Sequence, residues 1–161
     1  TIYVAKLLVG AGLVCVSSLV LATGTGLEGW IVLGIRPDLG LTRPVPWDLI
    51  FSRSFSFVPA VLLMLALQTW VAVRWRSFTV AMGLGIGSTI VGIMLLRSLK
   101  NVASTPHGPL LASVFPWSLP YVVLARQATA SLRETALLIG ILGGVLIAAF
   151  GCWDVVRRDV P

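Results

Sequence analysis

The chain has 161 residues, 57% of them hydrophobic and 11% charged, and its mean hydropathy is +0.98. Soluble domains carry about 25% charged residues, so this chain has too little charge to cover a water-facing surface, which excludes a soluble enzyme, a nucleic-acid-binding domain and a disordered tail. The formal net charge is +6, but the basic residues flank long apolar runs, the pattern that meets anionic lipid head groups at a bilayer surface.

Four uncharged runs occur in chain order: residues 7–27, 54–73, 77–96 and 135–153. At about 1.5 Å of rise per residue each reaches roughly 30 Å, the thickness of the hydrocarbon core. A spanning segment must satisfy its own backbone hydrogen bonds, so runs this continuous are helices. The expected fold is an all-α polytopic membrane protein in one domain, with helices over 4–28, 49–74, 77–97 and 132–153. Lys6 and Glu28 would sit at opposite interfaces of the first helix. Asp48 is placed to cap the second, after Pro44, Pro46 and an interfacial Trp47. The Arg74-Trp75-Arg76 turn makes the second and third helices antiparallel neighbours. Ser131-Leu132-Arg133-Glu134 fits a capping box that opens the last helix. No low-complexity segment or internal repeat is evident.

A fifth uncharged run, residues 101–125, contains Pro106, Gly108, Pro109, Pro116 and Pro120. Each interior proline costs a helix roughly 3 kcal/mol. Irregular backbone at membrane depth survives only against protein or a cavity. This run therefore reads as a broken, re-entrant or interfacial element and not as a fifth crossing. The chain opens at Thr1 with Lys6 ahead of an apolar run too long for a signal-peptide core, so the expectation is a start inside a longer protein.

With four crossings, Lys6, Arg74, Arg76, Arg157 and Arg158 share one side, and Arg36, Arg43, Arg53, Arg97, Lys100, Arg126 and Arg133 share the other. Five basic residues against seven leave the positive-inside rule close to neutral. No phosphate-binding G-x-x-x-x-G-K-[ST] loop is present. His107 lies in the proline-rich run and reads as an ordinary loop histidine. Cys15 and Cys152 differ in depth by roughly 12 Å, too far for a disulfide, and read as packing residues. A membrane aspartyl peptidase needs two carboxylates sharing a proton. Asp38 and Asp48 fall in one loop, Asp154 and Asp159 in the C-terminal tail, and no helix buries an acid.

Gly83-x-x-x-Gly87 and Gly140-x-x-x-Gly144 put small residues on one helix face, which allows close helix approach within one subunit or at a dimer seam. Gln68 is the most polar residue inside a helix, satisfied by a neighbouring helix or facing a transport path. The Arg74-Trp75-Arg76 turn is suited either to lipid anchoring or to a cytoplasmic partner.

The order of several segments carries a resemblance over essentially the whole chain. They are Ile2-Tyr3-Val4-Ala5-Lys6-Leu7-Leu8, the stretch Leu67-Gln68-Thr69-Trp70-Val71-Ala72-Val73-Arg74-Trp75-Arg76-Ser77-Phe78, Phe115-Pro116-Trp117-Ser118-Leu119-Pro120, and Trp153-Asp154-Val155-Val156-Arg157-Arg158-Asp159-Val160. Together they resemble the ABC-2 type permeases, specifically the small ones associated with lantibiotic or bacitracin immunity. The resemblance implies six crossings, a cytoplasmic coupling helix after the second, and a re-entrant extracellular hairpin between the fifth and sixth. The four helices here would be the third to sixth. The first two helices and the coupling helix have no counterpart, which leaves Thr1 to Lys6 as the nearest remnant of the coupling region. By that likeness Lys6, Arg74, Arg76, Arg157 and Arg158 would face a separate ABC ATPase subunit that holds the ATP and Mg, so no cofactor is expected in this chain. A second permease subunit, identical or different, would complete the transporter in a bacterial cytoplasmic membrane, with no nucleic-acid partner. The expected role is export of a peptide antibiotic or other amphipathic substrate. A non-transporting membrane scaffold or anchor is the alternative.

Overall fold

Each of the four long uncharged runs becomes a helix, and three of the four helices extend past the charges at both of their ends. In the computed structural model, which describes residues 2–36, 44–75, 77–101, 114–125 and 128–159, α1 spans Ile2–Ile35, α2 Trp47–Trp75, α3 Phe78–Asn101, α4 Leu119–Leu124 and α5 Ala130–Asp159. Among the described residues, α1, α2, α3 and α5 are long and apolar enough to cross a membrane. Alternating chain direction brings the starts of α1 and α3 and the ends of α2 and α5 to one end of the bundle. We call this the Lys6 end. The starts of α2 and α5 lie at the other.

Three local expectations are corrected. The first helix was expected to stop at residue 28 but runs seven residues further. Glu28 is exposed on the helix surface: a carboxylate marks where the lipid layer ends but does not interrupt the hydrogen-bond ladder, and residues 29–35 contain no proline. Asp48 is not the cap of α2, since the helix opens at Trp47 and Ile50 N–H already donates to the Pro46 carbonyl at 3.1 Å. Its charge lies instead in the first turn, where it favours the helix dipole. The last helix is opened by Thr129, not Ser131. The Thr129 hydroxyl accepts from Leu132 N–H at 3.3 Å, and its carbonyl accepts from Arg133 N–H at 3.1 Å, so the chain turns helical two residues earlier than the capping-box pattern indicates.

α2 is the hub. It packs most extensively on α5, then on α1, and also meets α4 and α3, whereas the backbone of α3 comes close to α2 alone among the helices, with Leu96 reaching the core cluster. Apolar side chains gain nothing by leaving lipid for protein, so helix association rests on close van der Waals packing. Gly140 and Gly144 allow it. A Cβ on Gly140 would lie 2.5 Å from the Pro59 carbonyl oxygen, and one on Gly144 would lie 3.0 Å from the Leu62 backbone. On α1 the buried residues Ser18, Ala22 and Gly26 form a small-residue stripe at four-residue spacing, and the Trp47 ring lies directly over Gly26. Gly83 and Gly87 are different: nothing lies within 4 Å of where their side chains would begin.

The last segment described before α5 does not cross the bilayer. α4 has six residues, about 9 Å of helix. Pro120 sits in its first turn, where a missing N–H costs nothing. The turn before it is closed by Ser118, which is fully buried and whose hydroxyl donates to the Phe115 carbonyl at 2.7 Å. Leu119, Val122 and Val123 then pack with Ala60 and Leu63 of α2 and Ala136 of α5 to form the main core cluster. Those partners lie inside the apolar runs, so α4 enters the apolar layer and is sheltered there by protein, as irregular backbone at that depth requires. Pro106, His107 and Pro109 lie outside the described residues.

Two outcomes test this arrangement. On a cysteine-free background, single cysteines at 75 and 157 should label from one side of the membrane and those at 46 and 128 from the other; labelling of all four from one side would refute four crossings. Gly140→Val should destabilise detergent-solubilised protein by about 1–3 kcal/mol, the usual cost of overpacking, whereas Gly87→Ala should change unfolding by less than about 0.5 kcal/mol, both read from denaturant melts.

Candidate functional site

The polar residues of the bundle gather at the Lys6 end. Asp154, one turn before the end of α5, is the anchor, with 18% of its side chain exposed. Arg74, near the end of α2, donates through Nη1 to both carboxylate oxygens, at 2.9 and 3.2 Å. Trp70 Nε1, one turn earlier on α2, donates to Oδ2 at 3.1 Å. Arg158, four residues along α5, brings Nε to 3.4 Å of Oδ1. A carboxylate taking charge-assisted donors from two helices fixes the register of α2 against α5 at this end.

Aromatic rings surround the ion pair. Trp70 meets Trp75 edge-on at 6.1 Å and Phe150 at 5.6 Å, and Phe150 leads to Trp153 at 5.8 Å. The Arg157 guanidinium lies 4.0 Å over the Trp153 ring, within cation–π range. At the opposite end of α2, Trp47, Phe51 and Phe55 stack in succession. Phe51 and Trp70 are 19 residues apart, roughly 29 Å along the axis, so the two aromatic clusters flank a layer as thick as a hydrocarbon core.

Beside the ion pair lies a cleft of about 710 Å³. Lys6 of α1, Arg74 of α2, Ser77 at the head of α3, and Asp154 and Arg158 of α5 all line it. Ser77 also caps α3, its hydroxyl accepting from Val80 N–H at 3.4 Å. Of the basic residues singled out from the sequence, the fold thus brings Lys6, Arg74 and Arg158 to one cleft and holds Arg157 on a neighbouring ring, while Arg76 lies outside the described residues. Arg74 and Arg158 are engaged with Asp154. Lys6 is exposed and has no partner among the described residues.

Gln68 lies further into the bundle. Its Nε2 donates across to the Ala81 carbonyl of α3, and Gly85 admits it, since a Cβ there would stand 2.8 Å from Nε2. Its Oε1 is buried without a partner among the described residues. The amide therefore bridges two helices, on an open groove of about 360 Å³ that Thr89 and Ile86 also line. Among the glycines, Gly140 and Gly144 pack inside the subunit and Gly83 and Gly87 face away from it.

Sequence reasoning missed Tyr3 and Asp154. Tyr3 is fully buried, donates its hydroxyl to the Ala66 carbonyl of α2 at 3.2 Å, and lies against Gly151 of α5, where a Cβ would come within 2.6 Å of the ring. It therefore ties three helices together. Asp154 had one local signal, the four-residue spacing to Arg158 that makes an ion pair on a helix; its pairing with Arg74, 80 residues away, had none. Of the four aspartates weighed for a peptidase, the two with described side chains lie far apart. Asp48 opens α2 and Asp154 pairs near the end of that helix, the length of the bundle apart, while Asp38 lies outside the described residues. Neither cysteine forms a disulfide, and among the described residues no group of three or more His, Cys, Asp or Glu could hold a metal ion.

No protein-family model, curated protein or solved structure matches the chain. Its class rests on its own helices: the described residues are all-α, with four helices suited to crossing a membrane.

A double-mutant cycle checks the ion pair. Arg74→Gln and Asp154→Asn should each lower stability in detergent by about 1–2 kcal/mol, with a coupling of about 1 kcal/mol between them. A coupling near zero would mean that Asp154 does not hold α2 to α5.

Proposed function

We propose that the chain is the membrane-spanning permease subunit of an ABC-2 type exporter, acting on a peptide antibiotic or another amphipathic substrate. The observation that carries this reading is the buried turn and short helix α4, wedged between α2 and α5 ahead of the last span. That is where the resemblance to the lantibiotic-immunity permeases expects a re-entrant hairpin on the outer face. An outer position for that element makes the Lys6 end cytoplasmic and turns Lys6, Arg74, Arg157 and Arg158 toward a separate ATPase subunit.

The chain would perform no covalent chemistry. ATP and Mg would belong to the partner, whose nucleotide cycle would bias two permease halves between inward-facing and outward-facing states. A ligand can shift such an equilibrium only by the difference in its affinity for the two states. The second half would be another copy or a different permease, in a bacterial cytoplasmic membrane. In this scheme the α2–α5 pair moves as one body, because its helices are in backbone contact. α3, whose backbone approaches α2 alone among the helices, is the element freest to move.

The alternative, a non-transporting scaffold, draws on the engagement of Arg74 and Arg158 with Asp154, which leaves fewer free cations for an ATPase. Co-reconstitution with an ATPase encoded beside it distinguishes the two. The exporter reading expects a several-fold rise in ATP turnover and higher cellular tolerance of a cationic peptide. If neither appears, it fails and the scaffold reading stands.

A further inference from the structure

The cleft at the Lys6 end lies between two helices that do not pack on one another. α1 and α3 each pack on α2, which leaves a gap between their first turns, and among its lining residues Ile2 is 70% and Phe78 78% exposed. The walls divide by chemistry. Lys6, Arg74 and Arg158 set three cations against the one carboxylate of Asp154, a net charge of +2, with the Ser77 hydroxyl beside them. Ile2, Val73 and Phe78 supply an apolar wall.

Asp154 does not exhaust its partners. Arg74 uses only Nη1, and Arg158 only Nε, so each guanidinium keeps N–H groups for a further acceptor. The 710 Å³ volume lies within the range of small-molecule sites, roughly 300–1,000 Å³.

We infer that this cleft holds one anionic phospholipid, its headgroup phosphate between Lys6, Arg74 and Arg158 and an acyl chain along Ile2, Val73 and Phe78. A phosphate completes the charge that Asp154 leaves unbalanced, and the apolar wall gives an acyl chain a surface to lie on. Occupancy would fill the space between α1 and α3, which share no packing of their own. This assignment is independent of any transport role.

Native mass spectrometry of the full chain, released from mixed phosphatidylcholine and phosphatidylglycerol vesicles, tests it. One retained phosphatidylglycerol is expected, preferred over phosphatidylcholine on the order of tenfold. Lys6→Gln should cut that preference about fivefold, the weight of one basic residue near a charged surface, and Lys6→Gln with Arg158→Gln should abolish it. Arg97→Gln, at the opposite end, should leave it intact. Lys6 has no partner among the described residues, so its variant keeps the fold and makes the decisive comparison. Glycerol phosphate in excess should not displace the lipid; displacement would reassign the cleft to a soluble anion and overturn the proposal. Equal retention of the two lipids would leave the cations to a water-soluble acidic partner and overturn it too, as would an equal loss of preference in Arg97→Gln.

Discussion

The contact between the backbones of α2 and α5 is the constraint from which the rest of the structure follows. Helices in a bilayer gain little from burying leucine that lipid already solvates, so they associate where atoms approach closely and many weak contacts add up. Gly140 and Gly144 permit that approach at Pro59 and Leu62. With the two axes fixed, Ala60, Leu63 and Ala136 form the floor on which α4 rests, and Asp154 comes within reach of Trp70 and Arg74. Tyr3 then docks α1 at the same end, over Gly151 and onto the Ala66 carbonyl.

This hierarchy leaves the bundle asymmetric. α2, α5, α4 and α1 share a continuous packed interior, while α3 meets α2 through Gln68, Gly85 and their neighbours. Gly92 and Leu96 of α3 extend its contact toward Trp117 and the main core. The Gln68 bridge is half made, with its amide nitrogen paired and its oxygen not. This narrower attachment of α3 also leaves the cleft at the Lys6 end.

Much of the candidate site was visible as composition and little of it as connection. Lys6, Arg74 and Arg158 stood out because charges are rare in this chain and mark the ends of apolar runs. That they share one end follows from counting crossings, and that they line one cleft comes from the packing. The role of Asp154 as the group that gathers Arg74 and Arg158 was hidden, because a carboxylate in a polar tail looks the same in sequence whether it faces water or a neighbouring helix. The stripe of Ser18, Ala22 and Gly26 on α1 had the same small-residue spacing as the glycines of α5, yet it was masked by the uniformly apolar run around it.

The sequence by itself determined that the chain is helical, that it has four segments fit to cross a bilayer, and that prolines break a fifth uncharged run. Those properties depend on hydropathy and on backbone hydrogen bonds that each segment must satisfy internally. Only the tertiary structure decided which glycines carry the packing. Gly140-x-x-x-Gly144 and Gly83-x-x-x-Gly87 are indistinguishable as patterns, but the first pair meets the backbone of α2 and the second meets nothing. Lipid and protein are equally apolar to a helix face, so pattern alone cannot tell which of the two will cover it.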